Sequence, residues 1–361
     1  MTETARPWLD HYPAGVDWHA TVPEAPLHTL LTDTAATFGQ RPAYNFFGRR
    51  TSWAAACSQA ERFAAGLQRL GLVPGDRVGL LLPNCPAYPT AFFGALMAGL
   101  VVVNFNPLYA HRELDHQARD AGIAALVTLD LAVLLPKAEA LLDAGLVGGL
   151  IICPFASMLP PAKRILFRAL KKADVAAVPV DDHHVTWAAM QAPGTPAPVS
   201  CEPRTTMAVL QYTGGTSGTP KGAMLTHGNM LSNAQVLKDY WGWKPGDVLI
   251  HALPIFHVHG LFVALHGALI NGSKMIWCAR FDPKFVIRKM PEATVFMGVP
   301  TLYVRLLNDA GLDKNSVRNM RLFVAGSAPL LIETFNAWQA RTGHAILERY
   351  GMSETAMLTS N

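Results

Sequence analysis

Charge is scarce in this chain. Only 16% of its 361 residues are Asp, Glu, Lys or Arg, and half are hydrophobic. An average soluble domain is roughly one-quarter charged. The balance excludes a disordered chain, which needs high charge and few apolar residues. The 29 glycines and 26 prolines show no period, which excludes a collagen-like or low-complexity protein. Lys and Arg exceed Asp and Glu only by 30 to 26, and the excess is spread out, so charge makes no case for a nucleic-acid partner. Cysteine is also sparse. Cys57, Cys85, Cys153, Cys201 and Cys278 lie far apart with no C-x-x-C, so neither a zinc knuckle nor a dithiol redox motif is available. Such a set suits reduced, mostly buried thiols, and the expected location is cytoplasmic. The first ten residues carry acids and no apolar run, so no signal peptide is expected.

Long apolar runs are missing too. No charged residue falls between Arg77 and Arg112, yet Pro83, Pro86 and Pro89 interrupt that stretch. Its longest clean run, 91–103, is shorter than the roughly 20 residues a spanning helix needs. A buried helix followed by a buried strand is the better reading.

What is present is alternation. Short apolar or β-branched runs at 78–82, 100–103, 125–129, 149–152, 208–212, 248–253, 294–297 and 321–325 alternate with segments of helical spacing. Ala60, Phe63, Leu67 and Leu70 form one such helical face, with Gly71 as its stop and Pro74-Gly75-Asp76 turning into the next strand. The pattern predicts an α/β fold with parallel sheets covered on both faces. The proline-rich stretch 193–203 reads as a linker between sub-lobes at about 30–195 and 204–361.

One segment differs in composition. Residues 158–173 place Lys163, Arg164, Arg168, Lys171 and Lys172 beside Ile165, Leu166, Phe167 and Leu170. As a basic amphipathic helix it invites weak peripheral membrane contact. The plainer reading, a solvated helix whose lysine stems cover apolar neighbours, is preferred.

The strongest signal follows the strand at 208–210: Gln211-Tyr212-Thr213-Gly214-Gly215-Thr216-Ser217-Gly218-Thr219-Pro220-Lys221-Gly222. From Thr213 it packs four glycines, four hydroxyls and one lysine together. Glycines let successive backbone N–H groups point at one anion, hydroxyls add donors and Lys221 adds charge, so the loop is suited to a polyphosphate. Competing motifs fail on spacing. A Walker A loop from Gly215 would need Gly at 220 and Ser or Thr at 222, where Pro220 and Gly222 stand. No G-x-G-x-x-G occurs here. A nucleophile elbow on Ser217 would need Gly in place of Thr219.

This loop resembles the phosphate loop of the AMP-forming acyl-CoA synthetases in the adenylate-forming superfamily. Tyr350-Gly351-Met352-Ser353-Glu354-Thr355 resembles that family's Y-G-x-[ST]-E-x motif, and Ala325-Gly326-Ser327-Ala328-Pro329 its adenine-side segment. Peptide-synthetase adenylation domains and luciferases share the loop. The resemblance implies a large N-terminal domain with two doubly covered, mostly parallel sheets in αβαβα layers. It implies a two-step reaction in which a carboxylate and ATP form an acyl-adenylate, which coenzyme A then converts to a thioester. The implied nucleotide-binding residues are Thr213, Gly214, Gly215, Thr216, Ser217, Gly218, Thr219, Lys221, Gly326, Ser327, Ala328, Tyr350, Gly351, Met352 and Ser353. Lys221, Thr216 and Glu354 are the implied catalytic group, with Glu354 and a loop hydroxyl, Thr216 or Ser217, serving Mg²⁺. The partners implied are ATP, coenzyme A and a small carboxylic acid.

The two halves point to different acids. Trp8-Leu9-Asp10, Tyr12-Pro13 and Asn106-Pro107-Leu108-Tyr109 resemble bacterial long-chain fatty acyl-CoA synthetases. From about 247 onward, including His257-Val258-His259-Gly260, Gly298-Val299-Pro300-Thr301-Leu302-Tyr303 with Arg305, and Glu348-Arg349-Tyr350, the chain resembles malonyl-CoA synthetases. There the arginine matching Arg305, with the serine matching Ser327, holds the second carboxylate of malonate. The resemblance therefore slightly favours a malonate-like dicarboxylate over a long-chain fatty acid, with His257 and His259 bordering the acyl pocket. An arginine capping a surface helix is the plainer fate for Arg305. His-x-His also raises zinc, and with it a histidine-metal hydrolase. No Asp or Glu lies between Asp247 and Asp282 and no H-E-x-x-H occurs, so the metal reading is set aside. For His251 and His266 the plainest option, satisfied core histidines, stays open.

The family continues well past the residue matching Glu354, through a T-G-D segment, a hinge and a small C-terminal domain with a catalytic lysine. The expectation is thus that residues 1–361 are the AMP-binding N-terminal domain, truncated, and that the piece alone is an inactive or partial enzyme.

Overall fold

The computed structural model describes residues 6–12, 16–214 and 219–361. In chain order its strands are β1 (Pro42–Phe46), β2 (Arg49–Ser52), β3 (Arg77–Leu80), β4 (Val101–Asn104), β5 (Ala125–Leu129), β6 (Leu150–Cys153), β7 (His184–Thr186), β8 (Met207–Tyr212), β9 (Gly222–Thr226), β10 (Val248–His251), β11 (Lys274–Trp277), β12 (Val295–Gly298), β13 (Leu322–Ala325), β14 (Leu347–Met352) and β15 (Ala356–Ser360). They form two sheets. One has the order β7-β6-β5-β3-β4-β8-β9 and the other β15-β14-β13-β12-β10-β11-β1-β2. Antiparallel pairing is confined to the edges, at β8–β9, β1–β2 and β14–β15.

The apolar runs are strands because both of their faces are covered. Every residue of β4, β5 and β6 is buried, the mark of a parallel sheet sandwiched between helices. Side chains alternate along each strand between two cores. Leu249 of β10 joins a central core and Ile250 an outer one. The central core also takes Val78 and Val102 from the first sheet and Val295 from the second, so it fills the space between the sheets. Leu126 and Leu150 face a third core on the first sheet's far side. Three apolar layers separated by two sheets make the αβαβα architecture.

The uncharged stretch after Arg77 becomes the helix Ala87–Met97, all of it buried, followed by β4. Among the described residues no helix is long and apolar enough to cross a membrane. The helix Trp53–Arg69 starts on the Ser52 side chain, which accepts from Ala55 N–H at 3.2 Å, and Gly71 beyond its end takes φ +82°. β8 and β9 follow the proline-rich stretch 193–203 yet join the same sheet as β3–β7, so the sheets change hands at the helix His227–Tyr240. The basic helix Pro161–Leu170 departs from its expected packing: it has no buried residue, and Ile165 and Leu170 are each 71% exposed.

Candidate functional site

A cavity of about 710 Å³ opens where strands of both sheets end. Pro83 and Asn84 reach it from beyond β3, Pro107 and Leu108 from beyond β4, and Arg280 and Phe281 from beyond β11. Val299 and Leu302 follow β12, Ser327 follows β13, and Arg349, Gly351, Met352 and Ser353 line it from the end of β14. Carboxyl ends of parallel strands are where open α/β sheets bind ligands, because loops there can vary without disturbing the cores.

The His-x-His segment forms one wall. Beyond β10 the chain turns at Pro254 and enters a π-helical segment, His259–Leu265. A side chain on Gly260 would put its Cβ 2.1 Å from the Pro254 carbonyl oxygen, so only glycine lets the wall close on itself. Asn84 pins the same turn across the sheets. Its amide nitrogen donates to Leu253 O at 2.8 Å and Cys278 O at 3.1 Å, and its oxygen accepts from Ile255 N–H at 2.8 Å. A buried polar relay holds the other side. Tyr88 donates to Asn104, Asn104 donates to Gln211 at 2.8 Å, and Gln211 donates to Phe256 O at 3.3 Å. Cutting such a buried relay costs about 1–3 kcal/mol per orphaned group.

His257 and His259 both line the cavity. His259 is 4% exposed, and burial together with the nearby Arg349 charge pushes its pKa well below the usual histidine value, so it is neutral. Its Nδ1 lies 3.5 Å from Ser327 Oγ. His251 is a satisfied core histidine: Trp277 Nε1 donates to its Nδ1 at 3.1 Å, its Nε2 meets Gly260 O at 3.0 Å, and burial lowers its pKa to about 4. His266 is in the core but not satisfied. It is buried among Phe92, Phe93 and Phe262 with neither ring nitrogen partnered, and burial lowers its pKa to about 3. Among the described residues no group of three or more His, Cys, Asp or Glu gathers as a metal site, and the five cysteines are unpaired.

Arg349 is the charge at the heart of the cavity. It is 4% exposed, donates from Nη2 to Ser327 Oγ at 3.0 Å, and has an unpartnered Nε. Among the described residues no carboxylate pairs with it, and burial lowers its pKa to about 10, leaving it protonated at neutral pH. Ser327 sits at φ +68°, an unusual conformation for a residue with a side chain, and presents its hydroxyl to Arg349. Gly326 allows the approach: a Cβ there would lie 2.4 Å from Arg349 Nε. Sequence reasoning quoted Arg349 within a motif but gave it no site role, and passed over Asn84 and Arg280. Nothing in a one-dimensional pattern marks an arginine as buried.

Arg305 lies elsewhere. It is exposed on the helix Pro300–Leu307, its guanidinium 4.8 Å from the ring centre of Phe281, and it does not line the cavity, although Phe281 and Leu302 do.

The glycine-rich loop spans the antiparallel hairpin β8–β9, closed by Thr213 N–H donating to Lys221 O at 3.0 Å. Gly215, Thr216, Ser217 and Gly218 lie outside the described residues. Thr219 and Lys221 are exposed. After β9 the chain enters the helix His227–Tyr240, capped by Thr226 and Asn229. That helix ties the loop to the β14–β15 hairpin: Asn233 donates to Met357 O at 2.9 Å, and Tyr240 to Ser360 O at 3.1 Å. Glu354 stands exposed at the hairpin's turn, without a cation or hydrogen-bond donor among the described residues. Gly326 is buried, while Ala328 and Tyr350 are exposed beside the cavity-lining Ser327 and Arg349.

Comparison with known proteins gives this geometry its context. A family model described as AMP-binding enzyme matches residues 31–361. The long-chain-fatty-acid–CoA ligase of Bacillus subtilis is 35% identical over 99% of this chain and 65% of its own length. That of Salmonella typhimurium is 33% identical over 98% of this chain and, again, 65% of its own. The chain thus spans about two-thirds of the length of these curated relatives. Apo MatB from Rhodopseudomonas palustris superimposes with a TM-score of 0.74 at 36% identity, covering 94% of this chain and 62% of the other. A benzoate CoA ligase from Burkholderia xenovorans LB400, 23% identical, shares the fold with a TM-score of 0.78 over 93% of this chain and 63% of its own.

Proposed function

Because the chain belongs to the AMP-binding enzyme family, we propose that it serves an ATP-dependent carboxylic acid–CoA ligase. A carboxylate oxygen attacks the α-phosphorus of ATP and pyrophosphate leaves. The coenzyme A sulfur then attacks the acyl carbon and AMP leaves. Charge gathers on phosphate oxygens in the first step, so donors aimed there carry the stabilisation. In this reading the backbone N–H groups of residues 214–219 and the Lys221 side chain hold the triphosphate. Gly326, Ser327, Ala328 and Tyr350 to Ser353 hold the nucleoside side. The exposed Glu354 carboxylate is a hard oxygen ligand that fits Mg²⁺, with the Thr216 hydroxyl as second ligand. Mg²⁺, when bound, supplies neutralising charge to the phosphates.

The acid is proposed to be a short dicarboxylate such as malonate. One observation carries this: the described lining of the cavity contains Arg280 and Arg349 and no Asp or Glu, and Arg349 is buried with no counter-charge among the described residues. A distal carboxylate would complete that pair bidentately. Arg305 does not line the cavity and would reach an anion there only by leaving the Phe281 ring. Leaving an exposed cation–π contact costs about 0.5–1 kcal/mol, less than the roughly 1.5–3 kcal/mol of a charged hydrogen bond. The rival acid is a long-chain fatty acid, favoured by the names of the curated relatives and by the apolar lining residues Leu253, Phe256, Val299 and Met352. A hydrocarbon tail beside an unpaired buried guanidinium would cost several kcal/mol, which weighs for the dicarboxylate.

Pyrophosphate release by the intact enzyme with malonate, acetate and palmitate tests both levels. Fastest release with malonate is expected. Fastest release with palmitate, and malonate no better than acetate, overturns the substrate. No release with any acid overturns the ligase reading.

A further inference from the structure

The helix Pro161–Leu170 is mounted the wrong way round for a core-packed helix. A surface helix of a globular protein ordinarily turns its apolar stripe inward. Here the two half-buried residues are Arg164, which donates to Ser157 O at 3.2 Å, and Phe167, which packs on Phe155 with ring centres 5.1 Å apart. The apolar stripe is on the opposite side. Ala162, Ile165, Leu166, Ala169 and Leu170 recur at three- and four-residue steps, and all are exposed. Ile165, Leu166 and Leu170 are 71%, 56% and 71% exposed. At about 100° per residue, Lys163 and Arg168 flank this stripe on its two sides.

The surroundings share the character. Residues 158–173 contain five cations and no acid. Among the described residues Lys171 alone of the five has a carboxylate partner, Asp174 at 3.3 Å. Next to the helix is the turn between β1 and β2, where Phe47 is 45% exposed. Lys163 Nζ donates to Phe47 O at 2.7 Å and lies 5.8 Å from its ring centre, and exposed Arg49 and Arg50 follow in the chain.

We propose that this face docks on an anionic lipid bilayer, with Ile165, Leu166, Leu170 and Phe47 entering the acyl boundary and Lys163 and Arg168 meeting headgroup phosphates. Charge complementarity selects this occupant. Cations bordering an exposed apolar stripe match an anionic interface, where the same depth offers hydrocarbon and phosphate together. Ten residues are too few to span, so the contact lies in the interface plane and is reversible. The proposal does not depend on the identity of the acid.

The test is sedimentation of the intact protein with vesicles of phosphatidylcholine alone or containing about one-third phosphatidylglycerol. Binding to the anionic vesicles is expected, falling when salt rises from about 0.1 to 0.5 M. Ile165→Ser/Leu166→Ser/Leu170→Ser should lower the apparent partition coefficient tenfold or more, as should Lys163→Glu/Arg168→Glu, with ATP–pyrophosphate exchange unchanged in both. Equal sedimentation with both vesicle types, or binding that neither variant lowers, overturns the proposal. So does a solution dimer that the serine variant converts to monomer, since a second copy would then be the occupant. Should the serine variant fail to fold, the charge variant decides alone.

Discussion

The eight-stranded sheet has a charged side chain buried at each end, Asp247 at one and Arg349 at the other, and the two are treated in opposite ways. At the amino ends of β10 and β13, Arg321 grips Asp247 through both nitrogens, the Nε bond being 2.8 Å. The same carboxylate accepts from Thr294 Oγ1 at 2.7 Å and Lys244 N–H at 2.8 Å. Every lone pair is in use. At the carboxyl ends of β13 and β14, Arg349 has one serine hydroxyl and an orphaned Nε. The cost of burying charge is met at one end by the protein itself and left open at the other, where a ligand can meet it. In one sheet, the closed end is satisfied by the protein alone and the open end leaves a charge for a ligand to meet.

Removing the carboxylate from the closed end should have the largest effect. Asp247→Ala orphans the Thr294 hydroxyl and the Lys244 N–H and leaves the solvent-exposed Arg321 unpaired, and should cost about 3 kcal/mol of stability by urea denaturation. Burial works against the Asp247 charge, but the bonds from Arg321, the Lys244 N–H and Thr294 together outweigh it and hold the pKa below the ordinary carboxyl value. With the folded pKa depressed, this stability is fully present above the unfolded value and is lost as pH falls through the folded one. The variant should therefore lose the part of acid sensitivity that the native protein shows below about pH 4. Equal acid profiles would show that the pair does not set the closed end's strength.

The open end should respond the other way. Arg349→Met removes an uncompensated charge and keeps the volume, so stability should hold or rise while malonate-dependent pyrophosphate release falls about 100-fold, equivalent to ~2.7 kcal/mol. A variant that unfolds more easily yet keeps turnover would make Arg349 a structural residue and erase the contrast. Gly326→Ala probes the same spot more gently. Its new Cβ meets the guanidinium, which has to shift, so kcat/KM should fall about tenfold with little change in melting temperature. A drop in melting temperature with unchanged kcat/KM would place the strain in the backbone instead.

Much of the fold was legible because buried parallel strands are short apolar runs. The run at 125–129 is β5 residue for residue, and the others fall within one or two residues of β3, β4, β6, β8, β10, β12 and β13. β1 and β2 escaped notice. Pro42, Asn45, Arg49 and Arg50 dilute them, and β2 is an edge strand whose outer face is wet. β9 was hidden inside the glycine-rich loop that it closes. Helical spacing located the basic helix at Pro161–Leu170 but not its orientation, since periodicity defines a stripe and not which way the stripe faces. The site divides in the same manner. His257, His259 and Ser327 come to one cavity, whereas the burial of Arg349 against Gly326 and Ser327 joins β14 to the chain beyond β13, which no local pattern encodes.

Arg305 sharpens the comparison from a third position, neither closed nor open. Its guanidinium is exposed over Phe281, a cavity-lining ring, one turn along the helix from Leu302. In that place it lowers the energy of an anion in the cavity only by turning off the ring toward it. The exchange of a weak cation–π contact for a charged hydrogen bond nets about 1–2 kcal/mol. Arg305→Ala should thus lower kcat/KM for malonate about tenfold. Acetate, which carries no second carboxylate, should be turned over as before. An exposed side chain gives little to stability, so the melting temperature should not move. Were malonate turnover unchanged, Arg305 would be a rim residue that only shields Phe281, and the distal carboxylate would belong to Arg349 alone. Were malonate and acetate to fall together, Arg305 would act on the shape of the cavity wall through Phe281 and not on the second charge.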